Sequence, residues 1–115
     1  MSKSFKAMTH EISKTLSSFR KEAAEPMAGF DAMAKSAMAD GVLSALQKEL
    51  IATGIAVSTR CDGCIAYHVR SLVKLGATRE QVNEMLAVAV YMGGGPSLMY
   101  AAEVLNAFEE FQQPA

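Results

Sequence analysis

Hydrophobic positions recur every three or four residues along most of the chain, and no segment alternates strictly. From Ser4 to about Lys21 the apolar residues Phe5, Met8, Ile12, Leu16 and Phe19 share one side of a helix, with Lys, Glu and Ser between them. This predicts an amphipathic helix over 4–21. Pro26 suits a first helical turn, where a missing N–H loses no hydrogen bond. A second helix, rich in Ala and Met, is therefore expected from there to about Ala39, ended by Asp40-Gly41. A longer apolar helix follows over about 42–58, and another over about 61–75, stopped by Gly76. Thr78 and Gln81 form a capping box that opens a helix over about 79–92, apolar nearly all round. Gly93-Gly94-Gly95-Pro96 then breaks the pattern, and Leu98, Ala101, Ala102, Leu105 and Phe108 mark a final amphipathic helix. The fold class read from this pattern is all-α, a single-domain bundle of about six helices, without repeats or low-complexity tracts.

Composition narrows what such a bundle does. At 115 residues and 50% hydrophobic content the chain suffices for one core without disulfide staples or a structural metal. Eleven Lys and Arg against twelve Asp and Glu leave a net charge of -1, which supplies no basic field for nucleic acid or an anionic membrane. No apolar run approaches the roughly eighteen residues of a membrane span, and the first residues lack a secretory apolar core. A cytoplasmic location is the expectation. The eight methionines fall mostly on apolar helix faces, as core filling or a subunit interface.

The chemistry is concentrated in Cys61, Cys64 and His68. At about 100° per residue these three lie within an arc of roughly 60°, Ile65, Leu72 and Leu75 share that side, and Arg70 and Lys74 fall opposite. Both thiols and the imidazole are therefore expected to face the core. Cys64 and His68 are neighbours on consecutive turns, where the imidazole can take the thiol proton. Cys61 lies at the helix start, where unpaired amides favour a thiolate. Two cysteines so spaced can close reversibly, so that a sulfenic acid on one is resolved by the other. On the preceding helix Glu49 falls among Val42, Ala45, Ala52 and Ala56, beside Leu46. A carboxylate there must be protonated or hydrogen-bonded, and His68 is its candidate partner. The resulting reading is a Glu49–His68–Cys64 relay that orients the imidazole and carries protons to and from Cys64, with the histidine at its centre.

Each residue also has an ordinary structural account. Two cysteines can be small core hydrophobes, a lone core histidine usually bonds a carbonyl, and a glutamate on a mixed face is usually a solvated rim residue. His10 reads as a surface histidine and Tyr67 as packing. The glycine-rich stretch lacks the Lys-Ser/Thr of a phosphate loop. Two other function classes use the same residues. One is a metal-binding module with Cys61, Cys64, His68 and Glu49 as ligands, though three ligands within two turns of one helix strain tetrahedral geometry. The other is an enzymatically silent helical assembly that senses redox state through its disulfide.

The arrangement of Glu49, eleven residues, Cys61-Asp62-Gly63-Cys64, three residues and His68 resembles the signature of the alkylhydroperoxidase D-like proteins of the carboxymuconolactone decarboxylase family. The likeness runs from about Leu43 to Phe111, with the Lys74-Leu75-Gly76-Ala77-Thr78 turn and the glycine-rich break ahead of Tyr100-Ala101-Ala102. It implies one domain over 1–115 with its redox core at about 42–111. It also implies a peroxidase that cycles its cysteine pair between dithiol and disulfide without cofactor or metal, and is re-reduced by a thiol or dithiol partner. Glu49, Cys61, Cys64 and His68 match the family's proton relay, and homo-oligomers, trimers or hexamers, are implied as well. Some members carry a histidine immediately before the second cysteine, where this chain has Gly63. The decarboxylase branch does without the cysteine pair, so retaining both points away from lactone decarboxylation.

Overall fold

The computed structural model describes residues 3–114, which form six helices: α1 Phe5–Glu22, α2 Ala24–Met38, α3 Ala45–Ser58, α4 Asp62–Lys74, α5 Arg79–Gly93 and α6 Gly95–Gln112. The all-α reading holds throughout. α2 begins two residues ahead of the expected Pro26, and two further boundaries differ from those expected, each for a local reason. The third helix starts at Ala45 rather than near Val42. Ser44 accepts from the Gln47 amide while the Gln47 side chain accepts from the Ser44 amide, and Asp40 Oδ1 accepts from the Ala45 amide. This capping leaves Val42 outside the helix and fully exposed. The expected four-residue break at Gly93–Pro96 shrinks to a single residue. Gly94, at φ 72° and ψ −151°, turns the chain through a conformation open to glycine, and Gly95 and Pro96 already belong to α6. The Thr78–Gln81 capping box opens α5 as expected.

α4 lies at the centre, packed on α3 and α6. Ile65, Ala66, Val69 and Leu72 of α4 are wholly buried with Val57 of α3, Val82 of α5, and Val104 and Ala107 of α6. α5 is not buried all round, because Val88, Tyr91 and Met92 face outward. α2 contributes no buried residue; it leans on α1 and the start of α3.

α1 is tied to the far end of the chain. The Glu110 carboxylate accepts from the Phe5 amide at 2.7 Å, the Ser4 hydroxyl at 2.9 Å and the Lys6 amide at 3.2 Å, so a side chain of α6 satisfies the open N–H groups of α1. Burial by itself would raise the pKa of this group. The three hydrogen bonds and the Lys6 charge outweigh it and hold the carboxyl below its ordinary value of 4.5. A carboxyl lowered in the folded state stabilises above its unfolded pKa, and that stability disappears as pH falls through the folded value. The stability difference between the parent protein and Glu110→Gln, read from urea midpoints, should therefore be full above about pH 5 and shrink on acidification. A difference that does not change with pH would remove the carboxylate charge from the account.

Candidate active site

α3 ends in a tight turn that delivers the cysteine pair. The Thr59 amide bonds the Ile55 carbonyl, Arg60 adopts φ 57°, and the Cys61 amide bonds the Ala56 carbonyl at 3.1 Å. Cys61 thus becomes the N-cap of α4, its Sγ accepting from the Cys64 amide at 3.1 Å. The two sulfurs are joined as a disulfide, with Cα atoms 5.2 Å apart. One turn on, His68 Nδ1 lies 2.6 Å from Glu49 Oε1 of α3. The Glu49 side chain is 13% exposed and that of His68 35% exposed. Of the two expected ways of accommodating Glu49, the structure shows the hydrogen-bonded one.

The four residues singled out from the sequence therefore share one site, which lies at the edge of the core rather than within it as expected. Cys61, Cys64 and His68 are all half-buried, and Leu75 on the same stripe is largely exposed. The wholly buried arc of α4 is centred on Ile65, Val69 and Ala66, and the reactive arc flanks it. On its open side is a pocket of about 210 Å³ lined by Ala52, Ile55, Ala56, Thr59, Cys64 and His68. Its walls are largely apolar, with Thr59, the Cys64 sulfur and the imidazole as the exceptions. Nδ1 is engaged by Glu49, so Nε2 is the nitrogen left to exchange a proton in the pocket. Among the described residues no group of three or more His, Cys, Asp or Glu side chains is arranged to hold a metal ion.

The opposite flank is closed by α1, which the sequence reading did not connect with the site. The Tyr67 hydroxyl donates to the Thr9 carbonyl at 2.9 Å and pairs with the Ser13 hydroxyl, so Tyr67 packs α4 to α1. Lys3 Nζ bonds Asp62 Oδ2 at 2.8 Å and Glu103 Oε2 at 3.0 Å. These two bonds hold the Lys3 ammonium pKa above the ordinary lysine value. Ile12 lies over Gly63, where an added Cβ would come within 3.2 Å of its Cδ1. None of this follows from helical periodicity, because the partners are separated by about fifty residues or more.

With this geometry established, comparison with known proteins is direct. Residues 24–107 match the carboxymuconolactone decarboxylase family. The chain belongs to that family. The crystal structure of a family member from Legionella pneumophila is 55% identical and superposes with a TM-score of 0.93, over 95% of this chain and 97% of that one. A family member from Thermotoga maritima, for which a part in the antioxidative response has been suggested, is 25% identical with a TM-score of 0.81, over 90% and 89% of the two chains. An uncharacterised protein of Cupriavidus necator is 38% identical across 95% of this chain and 96% of its own length. In this member of the family, Gly63 leaves the room that Ile12 fills. Gly63→His should displace Ile12 and raise amide exchange in α1 while α4 to α6 stay protected. Unchanged exchange in α1 would show that the Ile12 contact does not hold the helix.

Proposed function

We propose that the protein is a thiol peroxidase that reduces hydroperoxides through the Cys61–Cys64 pair and is returned to the dithiol by a thiol or dithiol partner. The observation that carries this reading is the pocket in which Cys64 and His68 stand together, with the imidazole fixed by Glu49 and apolar walls around them. In the dithiol state His68 Nε2 takes the Cys64 proton. The Cys64 thiolate attacks the terminal peroxide oxygen. An S–O bond forms, the O–O bond breaks, and the leaving alkoxide takes up a proton to give an alcohol. Cys61 then attacks the Cys64 sulfenic acid, and hydroxide leaves and is protonated to water. The sum is dithiol plus hydroperoxide to disulfide, alcohol and water, with the thiols oxidised and the peroxide reduced. The disulfide of the structure corresponds to the end of this sequence. A cycle that depends on thiol donors suits a reducing compartment such as the cytoplasm. No cofactor or metal enters any step.

The same reading includes a homo-oligomer, a trimer or hexamer. Its support is an open groove of about 520 Å³ between α3 and α5, lined by Ile51, Ile55, Met85, Val88 and Met92 among others. A stretch this apolar is unusual on a monomer. Light scattering coupled to gel filtration should give a multiple of 12.3 kDa, and a single 12.3 kDa species would remove the oligomer from the proposal.

Stoichiometric cumene hydroperoxide should consume both thiols of the reduced protein, and His68→Ala should slow that loss by about 10²–10⁴-fold. A sulfenic-acid reagent should label Cys64 in Cys61→Ser. Labelling of Cys61 in Cys64→Ser instead would reverse the roles of the sulfurs. A dithiol that survives peroxide yet oxidises readily with disulfide reagents would favour a redox-sensing assembly over an enzyme.

A further inference from the structure

Asp62 stands between the two cysteines and in the first turn of the helix that Cys61 caps. The amides there favour negative charge, and a carboxylate at that position competes with a thiolate for the same field. Asp62 is not free to hydrate as an ordinary surface carboxylate. Its Oδ1 is buried with no hydrogen-bond partner among the described residues, and Oδ2 takes Lys3 Nζ at 2.8 Å. Lys3 also bonds Glu103 of α6, so one ammonium serves two carboxylates beside the cysteine turn. The charged groups facing the pair from the other side are Glu49 and His68, already bonded to each other. Arg60, next to Cys61, is solvent-exposed like Lys3 but, unlike it, bonds no carboxylate among the described residues.

We infer that Lys3 is a positioning residue for the redox couple: by neutralising Asp62 it stabilises the thiolate of the reduced pair and makes the disulfide more oxidising. A role confined to anchoring α1 does not account for this placement. That helix is independently held by Glu110 at its start, by Tyr67 through Thr9 and Ser13, and by Ile12 over Gly63. The couple is a disulfide, two electrons and two protons on one side and the dithiol on the other. Whatever favours loss of a thiol proton stabilises the reduced side once pH exceeds the thiol pKa. Lys3 acts on that side only, because the disulfide carries no charge for the neighbouring carboxylate to repel.

The test exploits a sign. Lys3→Gln and Asp62→Asn break the same ion pair, so if the pair only anchored α1, both substitutions would move every property in the same direction. Tuning of the couple requires opposite directions. In the reduced protein Lys3→Gln should raise the pKa of the more acidic thiol, followed by thiolate absorbance, by about half to one unit. Asp62→Asn should lower it, and the double variant, lacking both charges, should fall between the two. Equilibrated with glutathione above the thiol pKa, Lys3→Gln should hold about three- to tenfold less dithiol than the parent at fixed poise, and Asp62→Asn more. Shifts of the same sign in the two single variants, or none in either, would overturn the inference. Its importance for turnover rests on the peroxidase reading, but these measurements use no peroxide. Opposite shifts in a protein that leaves hydroperoxide untouched would retain the tuning and discard the enzyme, while peroxide consumption with equal shifts would do the reverse.

Discussion

The rotation of α4 about its own axis is the constraint on which the rest of the molecule depends. Ile65, Ala66, Val69 and Leu72 are withdrawn entirely from solvent between α3 and α6. Truncating a buried Leu or Ile costs about 2–5 kcal/mol, against a whole-domain stability of about 5–15 kcal/mol. The packing therefore sets the angle of the helix, and the reactive side chains take the arc that remains. Cys61, Cys64 and His68 fall beside the buried arc, at the seam with α3. That position keeps the sulfurs and the imidazole accessible at one edge while the helix carrying them is held by the core.

The neighbours of α4 make its two flanks unequal. α3 is fixed by Thr53, Ala56 and Val57, all buried, with the Thr53 hydroxyl returned to the Glu49 carbonyl. A helix held this firmly presents the Glu49 carboxylate to His68 at hydrogen-bonding distance, and its small residues Ala52 and Ala56 leave the pocket open. On the other flank, Ile12 over Gly63 and the Tyr67 hydroxyl seal α1 against the helix. The open approach is thereby on the Cys64 and His68 side.

What periodicity specifies was legible in the sequence. The six helices, the Thr78–Gln81 cap and the alignment of Cys61, Cys64 and His68 on one stripe all follow from repeats of three and four residues. Glu49 was legible too, because a carboxylate among alanines needs a partner. The depth of the stripe was not. A helical projection orders positions around an axis but does not say which arc the neighbouring helices cover, and here they cover the arc centred on Val69 and Ala66 rather than the one centred on Cys61. The start of α3 was misplaced because Val42 and Leu43 extend the apolar run, whereas Ser44 and Gln47 decide where hydrogen bonding begins. The partners of Lys3, Ile12 and Glu110 gave no signal, since each acts across a gap that only the folded chain closes.

Gly63 shows how such long-range contacts shape the chemistry. A side chain at 63 would crowd Ile12 Cδ1, so a titratable group at that position competes with the present docking of α1. The two sulfurs must then be activated by different means. Cys64 has an imidazole one turn away, itself oriented by Glu49. Cys61 has none, but as N-cap it receives the Cys64 amide and the field of the helix terminus, which stabilises a thiolate without a base. In the proposed cycle that difference matches the two tasks. The attacking sulfur needs a proton acceptor that can return the proton to a leaving oxygen, whereas the resolving sulfur needs only to be ionised and near. A single histidine is therefore enough, provided the charge next to Cys61 is kept from opposing its ionisation.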